Sequence, residues 1–160
     1  MTSRRQLLTC LAALVATAVV TACAAPATAG TAATRSVTHE FGATSVPAHP
    51  QRVVALDEAA AMSALAVGVR PAAVFGTWGS AVAQSVLTDQ GVAILPATIG
   101  PPPSTETILS ARPDLVVFTS VGDRTTFDRL GPAVPTIALP AATRPWQETL
   151  ALLGTAFDSA

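Results

Sequence analysis

Residues 104–119 read S-T-E-T-I-L-S-A-R-P-D-L-V-V-F-T, and this stretch decides the fold class. Ser104 offers an oxygen to the free amides of a helix start, and Glu106 falls in the first turn, where the helix dipole favours an anion. Ile108, Leu109 and Ala111 supply a short apolar face, and Arg112 suits the carboxyl end of the helix. Pro113 stops it, because proline has no amide hydrogen and its ring clashes with the preceding turn. Leu115 to Phe118 is then an unbroken apolar run with β-branched residues, the pattern of a strand covered on both faces. A capped helix followed at once by a doubly buried strand belongs to an α/β domain.

The same rhythm extends in both directions. Apolar cores occur at Val53–Leu56, Ala72–Phe75, Val92–Leu95, Leu115–Phe118 and Thr136–Leu139, with starts 19, 20, 23 and 21 residues apart. Helix-compatible segments fill the gaps at Glu58–Val67, Gly79–Asp89, Ser104–Arg112 and Asp123–Leu130. This alternation predicts right-handed βαβ units, hence a single parallel-sheet α/β lobe with helices on both faces. Ahead of it, Val37–Phe41 is expected as a short strand and Gly42–Pro50 as a proline-bearing loop. After it, Trp146 begins a further helix with Leu150, Leu153 and Phe157 on one face.

The amino terminus has a different character. Arg4 and Arg5 precede an uncharged apolar run from Leu7 to Val20, followed by Val20-Thr21-Ala22-Cys23. A basic start, a short apolar segment and small residues before a cleavage point make an export signal, and the run falls short of the ~20 residues that span a bilayer comfortably. The last four residues match a bacterial lipobox, which makes Cys23 the lipidation site. Ser3-Arg4-Arg5-Gln6-Leu7-Leu8 also has the look of a twin-arginine signal, so both export routes stay open. Residues 1–22 are expected as signal peptide, 23–36 as lipidated cysteine and tether, 37–145 as the lobe, and 146–160 as the start of a further helix. The tether, small and aperiodic, has a coil span of roughly 20 Å.

Composition excludes several functions. Removing residues 1–22 takes two of nine arginines and no acids, leaving seven bases against ten acids, a charge of −3. A mildly acidic exported domain has nothing to neutralise a run of phosphates, so no nucleic-acid partner is expected. Cys10 lies in the signal and Cys23 takes lipid, so no disulfide is expected. Only His39 and His49 could begin a metal site, and neither comes with converging cysteines or carboxylates, so no metal and no cofactor are expected. There is no G-x-S-x-G elbow, no H-E-x-x-H and no G-x-x-x-x-G-K phosphate loop, and the reading is a protein that is not an enzyme.

In an open parallel sheet, ligands meet the loops at the carboxyl ends of the strands. Those loops carry Asp57 and Glu58, Gly76 to Gly79, Pro96 to Pro103, Thr119 to Arg124, and Pro140 to Trp146. Both tryptophans of the chain fall on this edge, as do Arg124 and Arg144. Trp78, Arg124, Arg144 and Trp146 are therefore the candidate ligand-binding residues. Aromatic platforms and guanidinium groups suit bulky, often anionic chelates. Asp57 and Glu58 equally suit a helix start.

Several segments carry a resemblance. Val46-Pro47-Ala48-His49-Pro50-Gln51-Arg52-Val53-Val54-Ala55-Leu56 is similar to the opening of bacterial substrate-binding lipoproteins of ABC importers for ferric siderophores, haem and cobalamin. Ala66 to Val74, Thr105 to Val117, and Pro132 to Leu139 with Trp146-Gln147-Glu148 resemble later segments of that family in the same order. The resemblance implies one lobe, the amino-terminal half, of a two-lobe protein that holds its ligand in the interlobe cleft. It implies an extracytoplasmic solute-binding component for ferric siderophore-type iron complexes or related tetrapyrroles, shortened and of reduced activity. It also implies an ABC permease partner, with Glu106 docking into an arginine-lined pocket, and a lipid anchor on the outer face of the cytoplasmic membrane. For Glu106, a first-turn dipole residue is the alternative. For the chain as a whole, the alternative is a lipid-anchored single-lobe interaction or sensor module without transport.

Overall fold

In the computed structural model, residues 33–76, 80–97, 102–119, 124–140 and 144–159 are described. The chain enters through an antiparallel hairpin, β1 (Thr34–His39) and β2 (Gly42–Pro47), paired from Thr34↔Pro47 to His39↔Gly42. Gly42 takes a φ of +130° at the turn, a conformation that side-chain-bearing residues rarely adopt. The sequence reading is corrected here. Gly42–Pro47 is a strand, not part of a proline loop, and the first strand runs from Thr34 to His39, starting inside the stretch read as tether.

Five short strands follow: β3 (Val53–Ala55), β4 (Ala73–Phe75), β5 (Ala93–Leu95), β6 (Leu115–Thr119) and β7 (Thr136–Leu139). They form one parallel sheet in the order β5-β4-β3-β6-β7. The chain adds strands on one side of β3 and then crosses to the other, so the direction of winding reverses between β3 and β6. The helices are α1 (Glu58–Ala66), α2 (Ala81–Asp89), α3 (Thr105–Ser110), α4 (Arg124–Leu130) and α5 (Trp146–Phe157).

Alternation along the strands divides the core into two layers. Val53, Ala55, Val74, Leu115, Val117, Ile137 and Leu139 face α1, α2, α5 and the hairpin residues Val37 and Val46. Val54, Ala73, Phe75, Val116, Phe118 and Ala138 face the other way, against Ile108 of α3 and Leu130 of α4. The expected α/β lobe with helices on both faces is therefore present. β6 is buried along Leu115–Phe118, as the doubly apolar run required.

The 104–119 segment folds largely as read. Ser104 caps α3 by accepting from the amide of Thr107 at 3.2 Å, and the helix ends at Ala111. Arg112, expected to sit on the carboxyl end of the helix, lies beyond it with φ 51°. The chain must turn there to feed Pro113 toward β6, and the left-handed residue is the means.

The hairpin covers the β7 edge of the sheet. The Glu40 amide donates to the Ala138 carbonyl at 3.3 Å, and the Thr44 hydroxyl donates to the Thr136 carbonyl at 2.9 Å. Arg35 of β1 binds the hairpin to the end of α5. Its guanidinium donates to the Thr155 and Ala48 carbonyls at 3.2 and 2.9 Å and lies 3.5 Å from the Asp158 carboxylate.

Candidate functional site

The winding reverses between β3 and β6, and Asp57 joins the carboxyl ends of these two strands. One carboxylate oxygen accepts from the Ala60 amide at 2.8 Å, capping α1. The other accepts from the Thr119 amide at 2.7 Å, at the end of β6. The next residue, Glu58, opens α1. Its Oε2 is buried and has no hydrogen-bond partner, the only such side-chain atom among the described residues.

Along the sheet edge toward β7 stand the two candidate arginines, and the structure joins both to the turn of the hairpin. Arg144 follows β7; its Nη2 lies 2.5 Å from Glu148 Oε2 and its Nη1 3.6 Å from Glu40 Oε2. Arg124 opens α4; its Nε lies 3.5 Å from Asp128, and its guanidinium carbon lies 5.8 Å from the centroid of the Phe41 ring. Glu40 and Phe41 are neighbours in the turn between β1 and β2, so one turn engages both cations. These partners were missed in the sequence, where the turn was placed at a strand end. The local signal was Gly42 alone, a glycine at the turn.

A cavity of about 400 Å³ lies here, lined by His39, Glu40, Pro140, Arg144, Glu148 and Leu152. A larger one of about 590 Å³ lies between β2, the last turns of α4 and the turn that follows it, and is lined in part by Phe127 and Asp128.

His39 closes the site from beneath. It is buried, with Nδ1 accepting from the Phe41 amide at 3.2 Å and Nε2 2.9 Å from the Thr44 hydroxyl. The Thr44 hydrogen is already directed to Thr136, so Nε2 carries the proton and donates to Thr44. The ring meets Phe127 edge-on at 5.1 Å. Burial holds the imidazole below its ordinary value of 6.5, favouring this neutral tautomer. Among the described residues, no group of histidines, cysteines and carboxylates could hold a metal ion.

Trp146 is the first residue of α5 and is 66% exposed; Val82, in the first turn of α2, is 74% exposed. Both large apolar groups thus stand at helix starts on the carboxyl edge. Trp78 and Cys23 lie outside the described residues. Glu106 is in the first turn of α3 and fully exposed, and its own backbone amide together with the Ser104 hydroxyl hold its carboxyl below the usual range.

The fold is a doubly wound parallel lobe with charged and aromatic groups along its carboxyl edge. The relatives specify it further. The chain is 27% identical over 128 residues to YfiY of Bacillus subtilis, named as a probable siderophore-binding lipoprotein, covering 79% of this chain and 39% of YfiY. It is 30% identical over 119 residues to YhfQ of the same organism, named as an ABC-transporter substrate-binding lipoprotein, covering 72% of this chain and 36% of YhfQ. Among solved structures, Staphylococcus aureus SirA complexed with staphyloferrin B matches at a TM-score of 0.63 and 27% identity, covering 78% of this chain and 42% of SirA. No protein-family model matches the chain.

The chain is a homologue of siderophore-binding and ABC-transporter substrate-binding lipoproteins, and its reach is consistent with their amino-terminal lobe. It spans under two fifths of the length of the curated relatives it matches. Those relatives are binding proteins, not enzymes. Among the described residues, no helix is long and apolar enough to cross a membrane.

Proposed function

We propose that this chain serves as the ligand-holding amino-terminal lobe of an extracytoplasmic solute-binding component of an ABC importer, with a ferric siderophore-type complex as its ligand. The observation that carries the reading is the set of candidate charged and aromatic side chains along the carboxyl edge of the sheet, where the winding reverses between β3 and β6, on a lobe with a relative named for siderophore binding. Trp78, Arg124, Arg144 and Trp146 are the proposed ligand contacts. Cys23 is the proposed lipid attachment point, which would hold the lobe at the outer face of the cytoplasmic membrane.

Glu106 is the proposed contact to the permease. It is exposed, stays ionised at neutral pH because its carboxyl is stabilised by the Glu106 amide and the Ser104 hydroxyl, and presents two oxygens to a guanidinium. The test is a titration of the purified chain with ferric siderophores while tryptophan emission is followed. A saturable change supports the reading, and flat emission with unchanged calorimetry across the panel sinks it. In cells, Glu106→Arg is expected to abolish uptake while leaving ligand affinity intact; unimpaired uptake removes Glu106 from the docking role.

A further inference from the structure

Resting on the reading of this edge as an iron-chelate site, we infer that it selects neutral or positively charged ferric chelates of the hydroxamate class over multiply anionic catecholate or carboxylate chelates. The charges follow from the chemistry. Three hydroxamate monoanions neutralise a ferric ion, and a pendant ammonium makes the complex positive. Three catecholate dianions leave it triply negative.

Three independent features of the edge point the same way. First, neither arginine is free. Arg144 carries Glu148 and Glu40, and Arg124 carries Asp128 while lying over Phe41. An anionic chelate must share these guanidinium groups with carboxylates or displace them, and either course sets like charges against each other. Second, the balance is negative. Among the described residues at this edge, Arg124 and Arg144 stand against Glu40, Asp57, Glu58 and Glu148. A concave edge of one sign concentrates ligands of the other.

Third, the start of α1, which would otherwise favour an anion, is already taken. Asp57 accepts from the Ala60 amide, and Glu58 occupies the first turn. Glu58 adds a further carboxylate beside that helix start.

The experiment titrates the full chain by calorimetry with three probes: the ferric complex of a linear trihydroxamate bearing a free ammonium, a ferric tris-catecholate, and ferric citrate. The trihydroxamate is expected to bind at least about tenfold tighter than either anionic complex, with a preference that shrinks as salt is raised. The double substitution Glu40→Gln, Glu148→Gln should strengthen the tris-catecholate by releasing Arg144. A tris-catecholate or citrate complex that binds the unmodified chain more tightly than the trihydroxamate overturns the inference and leaves the iron-chelate reading standing. Binding of none of the three overturns both. The unmodified chain decides between these outcomes even where a variant fails to fold.

Discussion

Asp57 shows how much one side chain can join. One oxygen holds the Ala60 amide of α1 and the other the last residue of β6, so one carboxylate fixes a helix start and ties it to the neighbouring strand. Asp57→Ala removes a cap worth about 1 kcal/mol and a charge-assisted bond worth about 1.5–3 kcal/mol. A loss of about 3 kcal/mol in urea unfolding is expected, and a loss under 1 kcal/mol would show that the bridge to Thr119 contributes nothing. His39 acts on stability through pH. Because burial lowers its folded value below 6.5, the unfolded chain takes up the proton first as pH falls. The stability contributed by neutral His39 is complete above that pH, declines as pH drops through 6.5 toward the lowered folded value, and is gone below it. The melting temperature should fall accordingly as pH drops from about 7 through 6.5. In His39→Gln this component of the slope should be absent; an identical slope in the variant assigns the effect to another group.

The elements divide into those written locally and those written at long range. Helix starts and buried strands are local. Thr136–Leu139 and Trp146–Phe157 fold over the residues that their patterns marked, and Asp57 and Ser104 cap the helices they precede. β2 is different. Ala43, Thr44 and Ser45 are small and polar, and Pro47 reads as loop, so nothing within Gly42–Pro47 announces a strand. Its order comes from the ladder with β1 and from the Thr44 bond to β7. The candidate site divides in the same way. Arg124 and Arg144 were legible because they follow strands, whereas their partners Phe41 and Glu40 lie more than eighty residues earlier. The stop of α3 is a third case. Proline marked the end correctly, but the turn needed a left-handed residue and the sequence supplies arginine. Arg112→Gly relieves a strain of about 1–2 kcal/mol and gives back part of it in backbone entropy. A net gain of about 0.5 kcal/mol or more is expected by thermal unfolding, and a loss would show that the Arg112 side chain outweighs its backbone.

For the molecule as a whole, the relatives and the fold agree on a lobe, and the parallel sheet ordered around β3 is its frame. That frame also sets a schedule. β3 meets β4 after a short crossover, but its other neighbour, β6, arrives 62 residues later, as Asp57 and Thr119 do. Contacts between residues so far apart bring loop-closure entropy into the folding barrier. Val117→Ala, at the middle of β6, should therefore slow refolding, whereas Leu87→Ala on α2 should chiefly speed unfolding. Chevron plots of the two variants test this, and equal slowing in both would show that the centre of the sheet forms no earlier than its flank. During synthesis the consequence is an interval. Once β3, β4 and β5 have left the ribosome, the inner edge of β3 waits, unpaired, for some two dozen further residues to emerge, and the exposed apolar edge of Val53 to Ala55 is then a target for chaperones or for neighbouring chains.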